Sequence, residues 1–72
     1  MKYKVGDWFM CLSNRAPCQL VEIYQIYHKE KNRPSTYYYF KYFNKLMAGP
    51  VENYEICFYF RELTQEEKIE LL

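Results

Sequence analysis

The chain has 72 residues, ten Lys or Arg against nine Asp or Glu, and a formal net charge of +1. Half of its positions are apolar and 21% are aromatic, namely nine Tyr, five Phe and one Trp. That length allows one domain, the composition excludes disorder, and no run reaches the roughly 18 uncharged apolar residues of a membrane-spanning helix.

Gly6-Asp7 is a turn signal. The residues after it predict a first strand from Trp8 to about Leu12, with Phe9 and Cys11 inward and Trp8 and Met10 outward. Ser13 to Pro17 reads as a loop. Leu20 to His28 is a second strand that starts with Val21 and Ile23 inward and Glu22 and Tyr24 outward. Strict alternation would then bury Gln25 and expose Ile26, so a bulge is expected near Tyr24 or Gln25.

Asn32-Arg33-Pro34-Ser35 is a second loop, and the run Tyr37 to Phe43 a third strand. Lys41 marks its outer face, with Tyr37, Tyr39 and Phe43, leaving Tyr38, Phe40 and Tyr42 inward. Ala48-Gly49-Pro50 reads as a third loop. From Tyr54 to Arg61, alternation predicts a last strand, with Tyr54, Ile56, Phe58 and Phe60 inward and Glu55, Cys57, Tyr59 and Arg61 outward. Thr64-Gln65-Glu66-Glu67 is a capping box that opens a helix over 65–72. Ile69 and Leu72 share one face of it. Two turns are too short to stand alone, so the helix is expected to dock on the strands.

Four or five strands with tight loops and a short closing helix describe a small antiparallel barrel. Val5-Gly6-Asp7-Trp8-Phe9 resembles the opening of SH3-like small barrels of the Tudor and KOW types. Phe60-Arg61-Glu62-Leu63-Thr64, with the acidic residues after it, is similar to the ending of small bacterial and phage proteins of that shape. A helix after the last strand departs from their commonest pattern, a short 3₁₀ turn. The resemblance implies a mainly β fold, an SH3-like antiparallel barrel of four to five strands with a C-terminal helix, as one domain over 1–72. It also implies a phage or bacterial accessory protein that binds and inhibits or redirects a host enzyme. Function does not follow from such a fold, so the residues must carry it.

Cys11, Cys18 and Cys57 form an odd set without a Cys-x-x-Cys pair, which reads as reduced thiols. A Cys11–Cys18 bridge is the alternative. With Lys2 and Lys4 followed by Asp7 rather than an apolar run, no secretory leader is expected, and the location expected is cytoplasmic. His28 is the only histidine, Asp7 the only aspartate, and Gly6 and Gly49 the only glycines. No nucleophile–base pair, metal set or phosphate loop is legible, so neither catalysis nor a cofactor is expected.

The aromatic count is the strongest feature. Fifteen rings at roughly 200 Å² each carry about 3,000 Å² that favours burial. The whole folded surface should be only about 4,800 Å². Several rings must therefore lie outside, and the phasing names Trp8, Tyr24, Tyr37, Tyr39, Phe43 and Tyr59. Such a set suits protein binding, because Tyr and Trp supply large contact area at low rotamer cost. The partner is then a foreign protein, such as a host enzyme, or a second copy of the chain. The alternative is a nucleic-acid-binding barrel using the Tyr strand with Lys29, Lys31, Arg33 and Lys41. The low net charge argues for weak phosphate binding in that case. An aromatic cage for methylated lysine would need rings converging from loops, and the loop Ser13 to Pro17 has none. Charge is uneven along the chain: residues 1–45 hold eight basic and three acidic side chains, and residues 46–72 hold two and six.

Overall fold

A computed structural model describes residues 2–72. Five antiparallel strands form one sheet: β1 (Trp8–Cys11), β2 (Ala16–His28), β3 (Arg33–Tyr42), β4 (Met47–Glu52) and β5 (Phe60–Glu62). A 3₁₀ turn (Asn53–Glu55) and a single helical turn, α1 (Ile56–Tyr59), lie between β4 and β5, and α2 (Gln65–Leu71) follows. The strand order is β4-β3-β2-β1-β5. The edges β4 and β5 are not paired with each other, so the sheet is open where a closed barrel was expected.

One face of the sheet holds the core. Phe9, Cys11, Cys18, Leu20, Tyr38 and Phe40 are buried there with Ile56, Phe60 and Leu63. The Phe40 ring stacks on Phe60 at 4.1 Å and meets Phe9 edge-on at 5.2 Å, linking β1, β3 and β5. Tyr3 closes the cluster edge-on to Phe9 and Tyr38, at 5.3 and 6.1 Å. The Tyr38 hydroxyl donates to Asn53 Oδ1 at 2.8 Å, tying β3 to the 3₁₀ turn. The inward phases expected for the first and third strands hold, with Tyr42 half-buried against the core.

Three further expectations fail along the strands. The bulge lies between Leu20 and Glu22, not near Tyr24 or Gln25. The inward set on β2 is therefore Cys18, Leu20 and then Ile23, and Ile26 stays 45% exposed. Second, the segment read as one strand from Tyr54 to Arg61 is a helical turn until Phe60. The Glu52 amide donates to the Glu55 carboxylate at 3.2 Å and starts that turn. Ile56 and Phe60, four apart, point inward, while Tyr54 and Phe58 are 64% and 66% exposed. Third, the loop Ala48-Gly49-Pro50 is part of β4. An edge strand tolerates Pro50 because its missing N–H need not face a partner strand. Gly49 sits at a bulge opposite Tyr39, with φ of +131°.

Beyond the region shared with β1 and β4, β2 and β3 continue as a two-stranded arm closed by the turn Lys29 to Asn32. The molecule measures 44 × 22 × 20 Å, with a radius of gyration of 13.0 Å. A compact chain of this length would have about 11 Å. The accessible surface is 5272 Å², above the roughly 4,850 Å² expected for the mass. The excess reflects the arm and α2. Helix α2 has its capping box, Glu67 N to Thr64 Oγ1 at 3.1 Å and Thr64 N to Glu67 Oε1 at 2.9 Å. It buries no residue, against the expectation that it docks.

A Cβ built on Gly49 would lie 2.7 Å from the Tyr38 carbonyl and 2.9 Å from Tyr39 Cδ1. The nearer of the two is backbone and cannot swing aside as the end of a flexible side chain can. Gly49→Ala is predicted to lose about 2–4 kcal/mol through clash and strain at positive φ, read as a lower urea midpoint.

Candidate functional site: the outer face of the sheet

The phases that bury Phe9 and Phe40 send their neighbours to the opposite, outer face. Pairing aligns Trp8, Gln19, Lys41 and Met47 in one row across β1 to β4. The next row carries Arg61, Met10 and Pro17. Toward the arm come Glu22 opposite Tyr39 and Tyr24 opposite Tyr37.

Two aromatic zones result. At the root of the arm, where β4 still pairs with β3, the Tyr24 ring stacks between Tyr37 and Tyr39, with centroids 5.5 and 5.9 Å away and interplanar angles of 20° and 23°. His28 extends this column, its Nε2 lying 3.2 Å from the Tyr37 hydroxyl. The Glu30 carboxylate is 3.5 Å from the other ring nitrogen. Desolvation, the Tyr39 hydroxyl and the Glu22 carboxylate together raise the Tyr24 phenol above its ordinary value. These rings turn their faces to one another and are half-buried as a result.

At the base of the sheet, Trp8 and Phe43 meet at 5.5 Å. Phe43 and Pro17 line a groove of about 320 Å³ with Ala16, Tyr42 and Leu46. Met10 lines a neighbouring groove with Leu12, Arg15 and Arg61. Phe43, Leu46 and Met47 are 55%, 64% and 52% exposed. Lys41 and Lys45 flank this patch on β3 and in the turn after it, and Arg15 lies across it. Among the described residues none of the three cations makes an ion pair.

Of the six rings expected outside as a binding set, the structure thus unites Tyr24, Tyr37 and Tyr39 in one zone and Trp8 with Phe43 in another. Tyr59 belongs to neither: it lies on α1, because the strand that gave its phase is a helical turn. Lys29, Lys31 and Arg33 surround the tip of the arm. Lys41 is eight residues further along β3, about 25 Å away at strand spacing, so the four cations expected to bind nucleic acid are not one patch. Sequence reasoning missed Pro17, which lay in a segment read as a loop, and Leu46 and Met47, which lay in the stretch left unassigned between the third strand and the loop Ala48 to Pro50. The alternation Trp8, Met10 was their one legible signal.

The three cysteines are free thiols, with Cys11 and Cys18 buried and Cys57 exposed. Burial pushes Cys18 up to about 12, with Cys11 adding to the effect. Burial acts on Cys11 in the same direction, but hydrogen bonds from Ser13, Tyr42 and the backbone of residues 13 and 14 bring it below the ordinary thiol value. Among the described residues no three His, Cys, Asp or Glu side chains converge as a metal site. Among the same residues no helix is long and apolar enough to cross a membrane.

No protein-family model, no curated protein and no solved structure matches this chain.

One ion pair links the outer face to α2. Arg61 donates to the Glu67 carboxylate through its two terminal guanidinium nitrogens, at 2.7 and 2.8 Å. These bonds, with the Thr64 amide, hold the Glu67 carboxyl down to about 2 from an ordinary 4.5. A depressed folded-state pKa contributes order that is complete above 4.5 and fades as the pH falls toward 2. An NMR titration of Glu67 is therefore predicted to show its midpoint near 2, with the Lys68 amide losing exchange protection over the same window. In Arg61→Ala the midpoint should move up toward the ordinary carboxyl range.

Proposed function

We propose that this chain is a non-enzymatic protein-binding module of the SH3-like type, acting through the base of its outer sheet face. The observation that carries the reading is the patch of Trp8, Met10, Pro17, Phe43, Leu46 and Met47, framed by Arg15, Lys41 and Lys45. A contiguous apolar surface rimmed by polar groups is the usual form of a docking site. Trp and Phe are apt anchors, and the flanking cations give steering and register rather than bulk affinity. The SH3-like assignment is supported by the order β4-β3-β2-β1-β5, by the bulged second strand and by the helical turn before the last strand.

The Tyr column has a different part. Its rings satisfy one another, each stacked pair contributing about 0.5–1.5 kcal/mol beyond area burial. It stiffens the root of the arm, and the Tyr24 ring has its two faces covered by Tyr37 and Tyr39. That weighs against base stacking, the physical core of a nucleic-acid reading. What favours that second reading is the tip of the arm, a two-stranded ribbon with Lys29, Lys31 and Arg33 around its turn.

Affinity capture by the intact protein, with nuclease present, separates the two. Protein binding predicts that Trp8→Ala and Phe43→Glu abolish capture while Tyr37→Ala leaves it, all three keeping the wild-type circular dichroism. Nucleic-acid binding instead predicts capture lost on nuclease treatment and on Lys31→Glu with Arg33→Glu, with steep salt dependence. Capture indifferent to Trp8→Ala and Phe43→Glu would remove the basis of the proposal.

A further inference from the structure

Helix α2 and the outer face carry complementary defects. The helix has seven residues, too few to be stable in isolation, and none of them is buried. Ile69, Leu71 and Leu72 are 73%, 41% and 54% exposed. Its charged residues are Glu66, Glu67, Lys68 and Glu70, a net negative set. The patch around Phe43 and Leu46 shows the reverse: a groove lined by Phe43, Leu46, Pro17 and Ala16 with the neutral Asn14 and Asn44, flanked by Lys41 on the same face of β3 and by Arg15 and Lys45, each next in the chain to residues that line it. Glu22 is the carboxylate on the same face of β2, one pairing closer to the arm. Within one chain, the bidentate Arg61–Glu67 pair anchors the start of α2 beside β5 and leaves its apolar side uncovered.

We infer that the apolar, acidic helix α2 of one copy docks in the basic-rimmed groove of a second copy, making a reciprocal dimer. This rests on the reading of the outer face as a protein-docking surface, and names its occupant. In a two-fold pair each helix enters the other copy's groove, so the contact closes on itself and occurs twice. Ile69 and Leu72 meet Phe43, Leu46 and Pro17, while Glu66 and Glu70 face Lys41, Lys45 and Arg15. If helix and groove each contribute roughly 300 Å², the two contacts bury about 1,200 Å², the lower end of the range for specific interfaces. The flanking charges give the contact a salt-sensitive component.

The test is sedimentation equilibrium of the full chain from micromolar to millimolar concentration, for the wild type, Ile69→Glu and Phe43→Glu, with circular dichroism as the folding check. The wild type should approach about 18 kDa, twice the 9.0 kDa chain mass. Each variant alone should stay monomeric, its dissociation constant raised by about 100-fold or more. Mixing the two variants should restore a weaker dimer, because the Phe43→Glu copy still offers an intact helix and the Ile69→Glu copy an intact groove. Should either variant fail to fold, Leu72→Lys replaces Ile69→Glu and Leu46→Lys replaces Phe43→Glu. A wild type that remains at 9.0 kDa at millimolar concentration overturns the inference, and the face is then judged by the capture experiment alone. A dimer broken by Phe43→Glu but not by Ile69→Glu overturns the helix as occupant while the docking face stands. A dimer unaffected by both overturns the two together.

Discussion

The packing of Phe40 between Phe9 and Phe60 is the contact on which the rest of the structure depends. It gathers β1, β3 and β5 on one side of a five-stranded sheet. Because side chains alternate along a strand, burying these rings sends Trp8, Met10, Lys41 and Arg61 to the other side. The chemistry of the outer face is thus a consequence of the core, not an independent feature. A chain this short builds one small core, and that core spends its reach on the centre of the sheet. The arm and α2 are left outside it.

Uncovered rings find two solutions on that face. Tyr24, Tyr37 and Tyr39 cover one another, and the Tyr39 ring lies against the space left by the missing side chain of Gly49. Trp8 and Phe43 have only each other, with half-exposed Met and Leu neighbours. A self-satisfied column gives a stiff surface with little left to gain from a partner. An unsatisfied patch retains the hydrophobic free energy that binding would release, about 25 cal/mol for each Å² removed from water. This difference, rather than aromatic content, locates the proposed docking site at the base of the sheet.

Much of this was readable from the residues where two signals agreed. In the third strand Lys41 and strict alternation pointed the same way, and Tyr38 and Phe40 are buried as read, as are Phe9 and Cys11 of the first strand, where alternation stood alone. The cap of α2 followed from Thr64 and Glu67 alone, since capping is local chemistry. Misreadings arose where spacing was ambiguous or tertiary context decided. Ile56 and Phe60 fit both a period of two and a period near four, and only the Glu52–Glu55 bond tips the segment into a turn. Gly49-Pro50 has the composition of a loop yet pairs with β3 at a bulged edge. The Leu20–Glu22 bulge leaves no mark in the sequence. The docking patch suffered most from these errors, because Met47 opens the strand that was missed and Leu46 precedes it. Charge asymmetry along the chain did carry information: three of the basic residues, Arg15, Lys41 and Lys45, lie around the groove, and three of the acidic ones, Glu66, Glu67 and Glu70, lie in α2.

Trp8 is the only tryptophan and sits inside the patch, so it reports directly on what covers that surface. The most direct measurement is its fluorescence emission as the intact chain is diluted from millimolar to sub-micromolar concentration, beside the same series for Ile69→Glu. If helix α2 of a second copy covers the patch, the wild-type emission is blue-shifted when concentrated and moves to the red on dilution. The variant then stays red throughout. Emission that is the same at every concentration and in both proteins would contradict the account.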